Sequence, residues 1–332
     1  MRVVVTGAAG FIGRRLVREL VSRGRLRDAM GHERAITDLL LLDRTGIDLP
    51  DWNLPPEAAR IGIRTAAGDL ADADFRARAL AQPFDSLFHL AATLTTDAER
   101  DIETGLRVNV GGLLDLLSLC RQQAAPPKVV FASSIATFGG ALPETVEDDC
   151  VQQPQTSYGT HKVIAEMLLD DHSRHGVLDG RSLRLPIVLI RPGNAVDSVS
   201  DRVAAVLREP LRGEPVACPL PPESWLTVAS VGTVARGLIG VHELPREAFG
   251  PSRAINLPAL SVTIAMMIES LRRVAGDRRL GPIGWAPDEK LIRIVAGWPK
   301  HFDSARARRL GILPDADMDA IIQDYLAHEG AA

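Results

Sequence analysis

A chain of 332 residues with 46% hydrophobic and only 4% aromatic content can form one large α/β domain, or an ordinary domain with a smaller lobe, around an aliphatic core. A formal charge of −4 and a pI near 6.1 exclude the concentrated basic face of a nucleic-acid protein. Three cysteines without pairing or CxxC spacing, no apolar run of membrane length and no signal peptide predict a cytoplasmic enzyme with no membrane partner. Arg272, Arg273, Arg278, Arg279, Arg306, Arg308 and Arg309 read as solvated helix faces.

Arg2 to Thr6 reads as a short β-branched strand. Gly7-Ala8-Ala9-Gly10-Phe11-Ile12-Gly13 follows, then an amphipathic helix to about Arg23. In that context Gly7 permits a tight turn, Gly10 lets the backbone approach a pyrophosphate, and Gly13 allows close helix–strand packing. The spacing is G-x-x-G-x-x-G. Four leucines, Leu39 to Leu42, predict a strand covered on both faces, and Asp43 ends it. A carboxylate there bonds ribose hydroxyls and repels a 2′-phosphate, favouring NAD, while Arg44 beside it could meet a phosphate. The distance from the glycines requires an extended loop over residues 25–37.

A third strand, Ile61 to Ala66, runs into Gly68-Asp69-Leu70, where Asp69 faces an adenine or serves as a turn residue. Ser86 to His89 is a fourth strand, continued by the small residues of Leu90-Ala91-Ala92. His89 reads as a packed core histidine. A long helix is expected from about Asp97 to Gln123, although Asn109, Gly111 and Gly112 are poor choices in its interior. Lys128 to Ala132 is the fifth strand, with Ser133-Ser134 at its C-terminal end, where ligands bind in open parallel sheets. Tyr158 and Lys162, four apart, share one face of a helix. Bringing a phenol from ~10 to about 7 takes roughly 4 kcal/mol, which a nearby ammonium can supply. With Ser134 holding the reacting oxygen, this is an arrangement for oxidising an alcohol.

These pieces, in this order over roughly the first 190 residues, resemble the extended short-chain dehydrogenase/reductase family, a branch of the NAD-dependent epimerase/dehydratases. The resemblance implies an α/β fold, a doubly wound parallel (Rossmann) sheet with a smaller mixed C-terminal substrate lobe. It divides the chain at 1–190 and 191–332, with some later segments returning to the first domain. It implies NAD as cofactor, held by Gly7, Gly10, Phe11, Ile12, Gly13, Asp43, Asp69, Leu70, Leu90, Ala91, Ala92, Asn109, Tyr158, Lys162, Pro186 and Ile187. Tyr158 becomes the acid/base, Lys162 the ribose ligand, Ser134 the orienting hydroxyl, and Asn109 a support for Lys162 through a water. The resemblance also suggests a homodimer through the two long helices near Asn109 and Lys162. No metal site is expected: His172 and His175 lack accompanying ligands.

A narrower resemblance covers most of the chain. Phe138 to Val146, Ser173-Arg174-His175-Gly176, Arg208-Glu209-Pro210-Leu211, Val216-Ala217-Cys218-Pro219 and Trp298-Pro299 are similar to the D-erythronate dehydrogenase branch of the family, implying a small polyhydroxy acid as substrate. The departures concentrate where that acid would bind. A family lysine is Asn194 here, Thr95-Thr96 replaces Ser-Gly, and Ala229-Ser230-Val231 lacks an arginine. A carboxylate needs a cation or several N–H donors, which points to Arg191, with Thr95, Ser134 and Tyr158 completing the substrate set. An epimerase or dehydratase acting on a sugar nucleotide is the alternative.

Beyond Arg191 the strand–helix alternation is expected to stop in a proline-punctuated stretch. Helices are then predicted from Val231 to His242, from a Ser261 cap to Val274, from Asp288 to Val295 and from Asp317 onward, the last with Ile321, Ile322, Tyr325 and Leu326 as a core-facing stripe.

Overall fold

The computed structural model describes residues 1–193, 196, 198–250 and 252–328. It divides into two compact units whose segments alternate along the chain. The first contains Met1–Ser134, Thr156–Arg184 and Ala235–Ile255; the second contains Ile135–Gln155, Leu185–Val234 and Asn256–Ala332.

Seven strands form one sheet: β1 (Arg2–Thr6), β2 (Asp38–Asp43), β3 (Gly62–Ala67), β4 (Ser86–His89), β5 (Lys128–Ser134), β6 (Asp179–Leu185) and β7 (Ala254–Asn256), in the order β7-β6-β5-β4-β1-β2-β3. The pairs β1–β2, β2–β3, β1–β4 and β4–β5 are parallel. Parallel strands need crossover connections, and helices supply them: α1 (Phe11–Arg23), α2 (Ala73–Ala79), α3 (Thr95–Arg100), α4 (Ile102–Leu106), α5 (Gly112–Arg121) and α6 (Ser157–Arg174). Val3, Val4, Val5, Leu39, Leu41 and Leu42 are completely buried. That explains the continuous apolar runs, because a strand covered on both faces has no solvent side to alternate toward. One core cluster joins Val4, Leu42, Leu87, Val129 and Phe131 to Leu113, Leu116 and Leu117 of α5 and to Ala165 and Leu169 of α6. Register then aligns the strand ends. Thr6 pairs with Leu42 and His89, and His89 with Phe131, so Gly7, Asp43, Leu90 and the end of β5 leave the sheet along one edge.

In the second unit, residues 187–189, 225–230 and 260–263 form a three-stranded sheet, parallel on one side and antiparallel on the other. Helices Val199–Leu211, Ile264–Ala275 and Met318–His328 pack around it through Val203, Leu207, Ile264, Leu271, Ile321 and Ile322. Ile321, Ile322 and Tyr325 are buried and Leu326 is partly so, which places that stripe in the core. Each fully buried aliphatic side chain there contributes roughly 1.5–3 kcal/mol.

Four elements differ from expectation. Residues 25–37 contain an antiparallel hairpin, Arg25–Arg27 against Glu33–Ala35, rather than an extended loop. The single helix expected over 97–123 is broken at Asp101, which leaves helical geometry (φ −137°, ψ 91°) and caps α4 by accepting from Thr104 N at 3.0 Å. A π-helical turn, Arg107–Gly111, then joins α4 to α5. The proline-rich stretch contains the helix Val199–Leu211, capped by Ser198, with Pro210 in its last turn. Ser261 lies in a strand, Leu260–Thr263, and Thr263 caps the following helix. Among the described residues no helix is long and apolar enough to cross a membrane.

Candidate active site

Thr156 starts α6 by accepting a hydrogen bond from Gly159 N at 3.0 Å, and Glu99 Oε1 accepts from Ser157 N at 2.6 Å. These two contacts fix the first turn and therefore Tyr158. Ser134 ends β5 and is hydrogen-bonded to the Tyr158 phenol. One turn along α6, the buried Lys162 Nζ donates to Ala132 O at 2.7 Å. It lies 4.3 Å from the Phe131 ring centroid and 5.3 Å from that of Tyr158. Ser134, Tyr158 and Lys162 are thus brought together by one strand end and one helix.

The surroundings of Tyr158 work against the expected lowering of its phenol. Burial pushes the Tyr158 phenol up to about 12, and its hydrogen bond with Ser134 pulls it back only in part. Burial also brings the Lys162 ammonium down to about 7, with Glu166 acting to raise it. Desolvation disfavours the charged form of both groups, so neither is poised by the other alone. His89 is buried, stacked on Phe131, hydrogen-bonded to Thr6 Oγ1 at 2.7 Å and depressed to about 3 by burial and then by Lys162. It is a neutral core histidine.

Asn109 sits on the π-helical turn, where a wider backbone lets a short side chain reach across. Its Oδ1 accepts from Thr93 N at 2.8 Å, and its Nδ2 donates to Thr93 O at 3.0 Å and lies 3.3 Å from His161 Nδ1. Its side chain thus meets Thr93 and His161, the residue preceding Lys162.

The glycine loop crosses the edge of the sheet. Gly7 has φ +71°, and a Cβ there would lie 2.7 Å from Ala91 N. Leu90 N donates to Thr6 O at 3.1 Å and Ala91 N to Thr6 Oγ1 at 3.3 Å, so these small residues run beside the loop. Asp43 ties the loop to β2, its Oδ2 accepting from Ala9 N at 2.9 Å and its Oδ1 from Thr45 N at 3.2 Å. The model of the NAD dependent epimerase/dehydratase family matches residues 3–251, more than half of the chain.

The chain belongs to that family. It is 40% identical over 332 residues, the whole of both chains, to a D-erythronate dehydrogenase of Cupriavidus necator. It is 34% identical to a D-erythronate dehydrogenase of Haemophilus influenzae, over 99% of this chain and all of the relative. A solved nucleoside-diphosphate-sugar epimerase from Agrobacterium tumefaciens superposes with a TM-score of 0.89 at 34% identity, covering 99% of this chain and 94% of that one.

As a member of the NAD dependent epimerase/dehydratase family the chain uses NAD, and the glycine loop fits it. Gly10, exposed at the N-terminus of α1, would give a Cβ only one neighbour, Gly7 O at 3.3 Å, so its bare backbone leaves open space beside the helix end in which a pyrophosphate would fit. Among the described residues no side chain caps α1 and no acid lies in its first turn, which leaves the positive end of the helix to an anion. Phe11 and Ile12 begin α1. Asp69 Oδ1 accepts from Ala71 N at 2.8 Å and its Oδ2 lies 3.5 Å from Arg107, and Leu70 O accepts from Arg76.

Thr95 begins α3 in the first unit. Pro186 and Ile187 belong to the second unit, where Ile187 pairs with Val228. Arg191, in the same unit, has its Nε 3.8 Å from Asp201 Oδ1, so it already carries a counter-ion. Asn194 and Ala195 lie outside the described residues. The sequence reading overlooked the roles of Glu166 and Arg184, and named Ser133 only alongside Ser134. Glu166 Oε1 accepts from Ser133 Oγ at 2.5 Å, and Arg184 Nη2 donates to Oε2 at 2.8 Å. The signal was available: Tyr158, Lys162 and Glu166 repeat at intervals of four.

Proposed function

We propose that this chain is an NAD-dependent dehydrogenase oxidising a secondary alcohol of a small sugar acid, a tetronate such as D-erythronate, at C2. The observation that carries this reading is the Ser134–Tyr158 hydrogen bond beside the buried Lys162, in a chain 40% identical along its whole length to a D-erythronate dehydrogenase. When bound, NAD supplies the hydride acceptor. Ser134 donates a hydrogen bond to the substrate hydroxyl oxygen and holds it toward Tyr158. The Tyr158 phenolate takes the hydroxyl proton as the C–H bond opens, and Lys162 offsets the charge on the phenolate. Because burial raises the phenol, base function at neutral pH depends on Lys162 remaining protonated.

NADH formation, followed across four- to six-carbon aldonates and UDP-glucose, tests the assignment. The expected result is NADH release with a tetronate and none with the nucleotide sugar. A second reading, a sugar-nucleotide epimerase returning hydride to the same substrate, is supported by the likeness to the Agrobacterium tumefaciens protein. It requires conversion of UDP-glucose without net NADH. A homodimer belongs to the same proposal, supported by exposed Ile102, Leu106, Leu114 and Met167 on α4, α5 and α6. Sedimentation giving one chain's mass at micromolar concentration would remove it.

A further inference from the structure

Helix α6 places Tyr158, Lys162 and Glu166 on one face, one turn apart. Glu166 is 3% exposed, as is Arg184, and Ser133 is 2% exposed. The carboxylate accepts from Ser133 on β5, and Arg184 on β6 grips both its oxygens, Nε lying 3.0 Å from Oε1 and 3.1 Å from Oε2. A buried carboxylate this fully engaged is a fixed point rather than a mobile charge. Ser133 immediately precedes Ser134, so the tether ends one residue from the orienting hydroxyl.

We propose that Glu166 is a positioning residue of the catalytic centre. It anchors the end of β5 that carries Ser134, and its charge, one turn from Lys162, favours the protonated form of that amine. The inference rests on the dehydrogenase reading of Ser134, Tyr158 and Lys162. Two opposing influences act on Lys162. Burial drives the amine toward neutrality and Glu166 opposes it. The other titratable groups around Lys162 are Tyr158 and His161 on α6 and His89 on β4, and burial lowers both imidazoles, so neither adds a competing positive charge. Glu166 itself faces Arg184 from β6 and Asp170 one turn further along α6. Arg184 offsets part of its charge and anchors it; Lys162 lies on the carboxylate's own helix face.

The test is the pH profile of kcat/KM for NAD reduction with the best aldonate of the panel. Parent, Glu166→Gln, Ser133→Ala and the double variant Glu166→Gln with Arg184→Leu are compared. Loss of the carboxylate lowers the protonated fraction of Lys162 at neutral pH, which raises the phenol. The rising limb is expected to move up by about one pH unit in Glu166→Gln, a loss of about tenfold at neutral pH that is recovered in alkali. Ser133→Ala is expected to lower kcat about fivefold without moving the midpoint. Glu166→Gln strands a buried guanidinium and can fail to fold; the double variant removes that defect and should show the same shift. Unmoved midpoints in every folded variant lacking Glu166, or an equal shift in Ser133→Ala, would overturn the charge role. Tyr158→Phe, measured alongside, separates the two levels. If it is inactive while the profiles coincide, only the Glu166 inference fails; if it stays active, the dehydrogenase reading fails.

Discussion

Lys162 is the residue on which chemistry and stability meet. An ammonium at about 7 in the folded chain, against 10.5 unfolded, means that the unfolded state binds more protons between those values. Stability therefore rises with pH through that window, and the burial cost is fully present below it. Lys162→Met removes the cost. Its stability relative to the parent should be highest below neutral pH and decline as the pH approaches 10.5, which urea unfolding across the range measures. A pH-independent difference would contradict the buried-ammonium account. The trio Ser134, Tyr158 and Lys162 was legible because each residue type has a distinct chemical duty and the order along the chain is informative. Glu166 was overlooked because a glutamate on a helix ordinarily faces solvent. Only the third dimension shows Ser133 and Arg184 converging on it. The raised Tyr158 phenol was equally hidden, since a four-residue spacing reports proximity and not burial.

Among the elements, the glycine loop separates packing from ligand binding. A Cβ at Gly13 would overlap Gly7 O and lie 2.8 Å from Ala8 Cα, whereas one at Gly10 meets only Gly7 O at 3.3 Å. Gly13→Ala is therefore expected to cost about 1–3 kcal/mol of stability through overpacking. Gly10→Ala should unfold close to the parent while losing NAD affinity about tenfold or more, because its methyl occupies the anion's approach. Thermal unfolding and NAD titration on both variants check this; equal effects of the two substitutions on unfolding would contradict it. The strands β1 and β2 were readable from unbroken β-branched and leucine runs, and β4 and β5 from short apolar segments in the expected alternation. The break at Asp101 was masked by otherwise continuous apolar periodicity, although an aspartate three residues before Thr104 is a capping signal. The helix Val199–Leu211 was obscured by nearby prolines, yet Pro210 falls in its final turn, where a helix is about to end.

For the molecule as a whole, buried histidines weaken stability in acid, outweighing the opposite contribution of Asp170, whose carboxyl burial raises to about 6. His89 is lowered to about 3 and His242 to about 4, each chiefly by burial. His242 Nε2 bonds Ser86 Oγ at 2.8 Å and its ring stacks on Phe88, so both imidazoles belong to the same sheet-based unit. Below the ordinary histidine value of 6.5 the unfolded chain takes up protons that the folded one refuses, so stability should fall steadily from there toward about 4. Denaturant midpoints flat across that interval would contradict it. The alternating segments of the two units were the least readable feature, because no composition shift marks residues 135–155 or 235–255.

The most direct test of the central claim compares parent and Tyr158→Phe for NADH formation from D-erythronate and for NAD binding. The substitution removes one oxygen from a helix whose packing it leaves intact. The account predicts NAD affinity within a few fold of the parent, since the phenol is one of many cofactor contacts, with turnover reduced by about 10²–10⁴-fold. Turnover within about twofold of the parent, with NAD bound normally, would contradict it.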